Sequence, residues 1–152
     1  MLDEQMAQTT AVEQFKQILP FFPPNPAAIL EIGPAAGWMA MLMAAHFPDA
    51  VLHLMDGDGT APQVNGFNKG GTKAWFDRQI TLENVLARVP LARVVTHAPD
   101  PEVTIPVDVI LSTQSWGYHY PIKEYIGLAE RSLRPGGRVI LDQRLNVKKI
   151  GR

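Results

Sequence analysis

Residues 28–38 read Ala28-Ile29-Leu30-Glu31-Ile32-Gly33-Pro34-Ala35-Ala36-Gly37-Trp38, an apolar run holding one acid, then a turn with a glycine at each end. A short apolar run before a glycine turn fits a strand buried on both faces. Next, Trp38, Met41, Leu42 and Ala45 recur at i, i+3, i+4 and i+7, the spacing of an amphipathic helix running to about His46. Phe47, Pro48 and Asp49 turn the chain, and residues 50–55 form a second strand that leads into Asp56-Gly57-Asp58. Strand, glycine turn, helix, strand and acid follow the order by which an α/β sheet holds an adenosine-containing ligand. The free amides of the helix start favour anionic groups, and the acid accepts hydrogen bonds from ribose hydroxyls.

Outward from this core, Thr10 and Glu13 have the form of a capping box, and Val12, Phe15, Ile18 and Leu19 supply an apolar stripe. A helix is expected over 11–19, stopped by Pro20, Pro23, Pro24 and Pro26. Residues 57–74 carry five glycines (57, 59, 66, 70 and 71) with little periodicity, which reads as a lid or binding loop. A third helix is expected between Trp75 and Arg88, with Ile80, Leu82, Val85 and Leu86 as core candidates. Strands follow at 91–96 and 106–111. Ile122, Tyr125, Ile126, Ala129 and Leu133 then lay an apolar face on a helix opening at Pro121, which Arg134-Pro135-Gly136-Gly137 ends before a fifth strand at 138–141. Five short strands alternating with helices predict a three-layer α/β fold with a mostly parallel sheet, because each parallel pair needs a crossover. The expected order is 3-2-1-4-5, which lines the carboxyl ends of the strands along one edge, with the ligand at the switch point.

The 152 residues fit a single domain, with an N-terminal helix and proline-rich stretch at 1–26, a core at 27–142 and a basic tail at 143–152. Hydrophobic residues at 46% and charged residues at 19% exclude a disordered or fibrous chain. The absence of cysteine excludes disulfides, thiolate zinc sites and cysteine nucleophiles. The first ten residues do not resemble a secretory signal, no long apolar run suggests a membrane span, and the expected location is the cytoplasm. A net charge of −1 gives no overall field toward nucleic acid or membrane, although seven of the 14 basic residues fall in 131–152, where Asp142 is the only acid. His46, His53, His97 and His119 lack metal-site spacing, so no metal is expected. Within strands, a hydrogen-bonded structural role is the default for His53 and His97.

Taken together, Glu31, Gly33, Ala35 and Gly37, Asp56 after the second strand, and Leu133-Arg134-Pro135-Gly136-Gly137 before the fifth resemble the class I S-adenosylmethionine-dependent methyltransferases, a Rossmann-like family, over 27–142. A dinucleotide fingerprint would place glycine where Ala35 stands. The resemblance implies S-adenosyl-L-methionine as cofactor, with the turn of Gly33, Pro34, Ala35 and Gly37 along its methionine part and Glu31 oriented toward that turn. Asp56, with Gly57 beside it, would hold the ribose, and Asp100 would contact the adenine side. Ser112 and Gln114, which open the segment that such enzymes place beside the reactive methyl, would also contact the cofactor.

Methyl transfer to a hydroxyl needs the acceptor held in line and a base to take its proton. His119 is the base candidate by type, with Tyr118 a second catalytic candidate, and Trp116, Tyr118 and Tyr120 could offer aromatic faces to a sulfonium or an acceptor ring. The 65–75 segment, with its glycine hinges and two lysines, could close over the site, and it is similar to segments of methyltransferases acting on sugars. The expected activity is methyl transfer to a hydroxyl or amine of a small-molecule acceptor. Two rival readings stay open: a nicotinamide-dependent oxidoreductase, which uses the same acid, and a non-catalytic cofactor-binding or regulatory protein on the same fold. The family usually continues past the fifth strand with a helix and two more strands. Here about ten residues follow, leaving a sheet edge exposed, with three outcomes: a minimal enzyme, a homodimer covering the edge, or a member that binds cofactor without catalysis.

Overall fold

The computed structural model describes residues 4–57, 77–113, 115–117 and 121–142. The apolar run after the prolines forms β1 (Ala28–Ile32), all five residues of which are buried. Burial on both faces follows from its place: β1 lies between β2 (Val51–Met55) and β4 (Val107–Ser112), parallel to both. With β3 (Arg93–His97) and β5 (Leu133–Leu141) the sheet has the order β3-β2-β1-β4-β5 and is parallel throughout. This is the expected α/β Rossmann-like arrangement.

Alternation along β1 divides the core in two. Ile29, with Leu52, Leu54, Val109 and Leu111, packs against α1 (Glu4–Ile18), α2 (Trp38–His46) and α3 (Arg78–Arg88) through Phe15, Met43 and Val85. Leu30 and Ile32, with Met55 and Ile110, pack against Tyr125, Leu128 and Ala129 of α4 (Ile122–Ser132). Each fully buried side chain of this size contributes about 1.5–3 kcal/mol, so the faces of β1 anchor both helical layers. Glu31 is the exception: it lies on the face shared with Ile29, in register with Leu54 and Leu111, and is 2% exposed.

Several boundaries differ from the sequence reading. α1 begins at Glu4, not near Ala11, and the Thr10 hydroxyl donates to Met6 O at 2.9 Å instead of capping. Gln5, Met6, Ala7 and Gln8 are good helix formers, and a threonine can bond the carbonyl four residues back without ending the helix. α3 is capped by Asp77, whose carboxylate accepts from the Gln79 N–H at 2.8 Å; it buries Thr81 and Val85, while Ile80 is 48% exposed. Ile126 of α4 likewise faces outward. β5 takes in Leu133, Arg134, Pro135, Gly136 and Gly137: Leu133 pairs with Val107, the next pair is Arg138 with Val109, and the residues between bulge from the ladder. Residues 98–106, joining β3 to β4, contain no helix, so α4 is the only helix on the second face among the described residues, with Ile105 and Trp116 packed beside it.

Candidate functional site

A parallel sheet sends all its strands out along one edge, and the chain reverses direction across the sheet between β1 and β4. The loops after β1, β2, β3 and β4 therefore meet at this edge. After β1, the Gly33 N–H extends the ladder to Met55 O at 2.9 Å, and the Gly37 N–H closes a turn onto Pro34 O at 2.9 Å. The turn has left-handed backbone at Gly33 (φ +74°), Ala35 (φ +50°) and Gly37 (φ +91°), and Gly37 caps α2. A Cβ at Gly33 would overlap the Ser115 side chain, and one at Gly37 would press on Thr81 and Val85 of α3. Both glycines are thus required by neighbours as well as by conformation.

Ala35 has no such freedom and is held from two sides. Its N–H donates to Asp56 Oδ2 at 3.2 Å, and its carbonyl accepts from the Thr81 hydroxyl at 2.6 Å. Asn84 Nδ2 donates to Ala36 O at 3.1 Å. A non-glycine residue in this region persists only where its surroundings over-determine it, which these contacts do. The turn after β1 is therefore braced by β2 and by α3.

Asp56 sits at the end of β2, its N–H on His97 O at 3.2 Å and its Oδ1 accepting from the Gly57 N–H at 2.8 Å. Burial raises its pKa above the ordinary carboxylate value, opposed by the Gly57 and Ala35 N–H groups and by Arg78. Glu31 lies deeper. Desolvation first, and the Asp56 charge second, push its pKa up to about 8, so that it is mostly neutral at pH 7. Its Oε2 is buried without a hydrogen-bond partner among the described residues. The site thus pairs an acid that accepts from two backbone N–H groups with a deeper acid whose Oε2 has no partner among the described residues.

Ser112 is fully buried; its hydroxyl donates to Ile32 O at 2.8 Å and accepts from the Trp116 N–H at 2.8 Å. It ties β4 to β1 under the site and sets the course of residues 115–117. Trp116, expected as an aromatic face for a ligand, is 3% exposed, donates its ring N–H to Ile122 O at 2.8 Å and packs edge-on to Tyr125. It belongs to the core because its ring N–H finds a partner on α4. Asp100 is exposed after β3 and accepts from the Glu102 N–H at 2.9 Å. Gln114, Tyr118, His119 and Tyr120, and the 58–76 loop, lie outside the described residues.

His53 and His97 bond each other across β2 and β3, Nδ1 to Nε2 at 2.9 Å, as the structural reading of strand histidines expects. Burial lowers the pKa of both, with the His97 and Arg134 charges adding to the effect at His53. No group of three or more histidine, aspartate or glutamate side chains among the described residues could hold a metal ion. The basic residues near the C-terminus serve the frame where described: Arg131 reaches Pro101 O at 2.8 Å, and Arg134 pairs with Asp108 at 3.2 Å.

Sequence reasoning missed Ser115, Thr81 and Asn84. The signal for Thr81 was a polar residue one helical turn before Val85, hidden by the larger apolar residues beside it.

With this geometry in view, the family model for the methyltransferase domain matches residues 2–149. The chain belongs to the methyltransferase domain family. Solved structures similar to this methyltransferase domain include a Nostoc punctiforme protein assigned as an O-methyltransferase, at TM-score 0.63 and 17% identity over 90% of this chain and 37% of that one. A phosphoethanolamine N-methyltransferase of Haemonchus contortus, in complex with phosphoethanolamine and S-adenosylhomocysteine, matches at TM-score 0.63 and 17% identity over 97% of this chain and 29% of that one. An amino pentose methyltransferase of Micromonospora echinaspora, solved with S-adenosylmethionine, matches at TM-score 0.56 and 16% identity over 91% and 51%. At these identities the likeness is one of fold, and the domain spans between about a third and a half of those chains. No curated protein sequence matches it. Among the described residues no helix is long and apolar enough to cross a membrane.

Proposed function

We propose that the domain binds S-adenosyl-L-methionine at the carboxyl ends of β1 and β2, and that its activity is transfer of the methyl group to a hydroxyl or amine of a small molecule. The observation that carries this reading is the buried Glu31 Oε2, without a partner among the described residues, next to a turn kept free of side chains at Gly33 and Gly37. An unsatisfied buried carboxyl is costly, and a ligand's ammonium group would satisfy it. Asp56 would hold the ribose: a carboxylate has about four lone-pair positions, and the Gly57 and Ala35 amides use two of them. Pro34 and Ala35 would line the methionine side, and Asp100 would reach the adenine side. Ser112 would support the site from beneath, and the Gln114, Tyr118 and His119 segment would lie beside the acceptor. The bound cofactor supplies an electrophilic methyl group on a sulfonium sulfur.

Ala35 supports this ligand over a nicotinamide dinucleotide, because a methyl group and an amide already committed to Asp56 stand where a pyrophosphate needs bare backbone. The family membership points the same way. A methyl-transfer assay with labelled S-adenosyl-L-methionine over pooled small-molecule alcohols, sugars and amines tests the activity. Labelled product is expected with the wild type and a loss of about tenfold or more with His119→Ala. Cofactor binding without turnover on any acceptor would make the domain a binding protein instead.

A further inference from the structure

We propose that His53, His97 and Met55 form a binding site for a soft monovalent metal ion, Cu(I), which clips β3 to β2 and does not depend on the cofactor reading. His53 Nδ1 lies 2.9 Å from His97 Nε2, and the ring centroids are 5.1 Å apart. The difference is about two ring radii, so the imidazoles meet head to head with their bonded nitrogens on one line. One ring donates its N–H and the other accepts through its lone pair. Imidazole nitrogens stand about 2.0–2.1 Å from a bound first-row ion, so two that share an ion are about 3–4 Å apart. The pair therefore needs to open by only about 1 Å to admit one. The proton between the rings then moves to the outer nitrogen of the donor ring, and coordination releases no net proton.

Met55 supplies the third donor. Side chains alternate along a strand, so Met55 shares the face of His53, two residues before it, and it is the register partner of His97. Facing side chains on neighbouring strands start about 5 Å apart at Cβ, a gap that the unbranched thioether of methionine spans. Two features select the ion. A thioether beside imidazoles suits Cu(I), whereas zinc and harder ions draw on thiolates or carboxylates. Among the described residues no aspartate or glutamate joins the two histidines, and the Arg134 charge acts on His53, so nothing there offsets a second positive charge. Burial lowers the pKa of both imidazoles and keeps them in the neutral form that binds metals. The Asp56 N–H donates to His97 O at 3.2 Å, which sets the clip against the end of β2. Spacing along the chain conceals this site, because His53 and His97 are 44 residues apart and meet only across strands.

Ag+ serves as an air-stable probe of Cu(I) sites, and the chain has no cysteine to compete for it. Isothermal titration of the full chain with Ag+ is expected to show a saturable site for one ion, and saturation to raise Tm by about 4 °C or more. Cu(I) held reduced by ascorbate should compete for the same site. His53→Gln and His97→Gln should each weaken Ag+ binding by about tenfold or more, and His46→Gln should leave it unchanged. Met55→Leu conserves volume, so circular dichroism should find it folded while Ag+ binding falls by about tenfold. Nitrogen NMR on the wild type should move the imidazole resonances of His53 and His97 with added Ag+ and leave those of His46 in place. No saturable binding by the folded wild type, or binding that leaves the His53 and His97 resonances unmoved, would overturn the proposal. So would Zn(II) binding more tightly than Ag+, or Met55→Leu matching the wild type, since either removes the soft ion.

Discussion

At Glu31, stability and binding pull in opposite directions. The folded protein keeps a proton on this carboxyl up to about pH 8, whereas the unfolded chain releases it near 4.5. Between those values the native state binds more protons than the unfolded one, so this group's contribution to stability is fully present below pH 4.5 and is lost as pH rises toward 8. At about 1.4 kcal/mol per pKa unit the loss is of order 3 kcal/mol at pH 7. Glu31→Gln keeps the size and removes the ionisation. Urea unfolding is expected to find the variant close to wild type at pH 5 and more stable by roughly 2–4 kcal/mol at pH 8, with weaker binding of S-adenosylhomocysteine. An equal difference at both pH values would contradict the burial account. As candidates, Asp56 was legible from its place at the end of the strand that follows the glycine turn and helix, and Glu31 from the family resemblance of the Glu31–Gly37 stretch. Ser115 was not, since a serine reveals its contact with Gly33 only when β4 is laid beside β1.

At the scale of elements, the glycine turn is positioned by α3 as much as by its own sequence. Thr81 and Asn84 bond the carbonyls of Ala35 and Ala36, 46 and 48 residues away in the chain. Thr81→Val preserves shape but leaves the Ala35 carbonyl without its side-chain donor. It is expected to destabilise the domain by about 1–2 kcal/mol and to weaken S-adenosylhomocysteine binding several-fold, with circular dichroism showing helix content unchanged. Unaltered binding would mean the turn is fixed by Asp56 and its glycines alone. β1 and α2 were read from sequence at their observed limits, because periodicity and Gly37 define them locally. The face of α3 and the start of β5 were not: Ile80 loses its core position to Thr81, and Leu133 joins the sheet by pairing with Val107. Both are decided by contacts across the chain, to which local patterns are blind.

For the whole molecule, parallel order puts every strand's carboxyl end on one edge, with β3 and β5 the outer strands among the described residues. Among the described residues three helices pack on one face and one helix, α4, on the other, where Val95 is 43% exposed and the His53–His97 pair lies half buried on β2 and β3. The strand order was legible from the count and alternation of strands; that the link of residues 98–106 between β3 and β4 carries no helix was not read, since each parallel pair was expected to be joined by a crossover. What the architecture does with its converging edge is the central claim. Isothermal titration with S-adenosylhomocysteine tests it most directly. The wild type is expected to bind, and Asp56→Ala to lose about 1.5–3 kcal/mol of that binding, the worth of hydrogen bonds to a charged acceptor. No heat of binding by the folded wild type at millimolar ligand, or equal affinity in the variant, would contradict it.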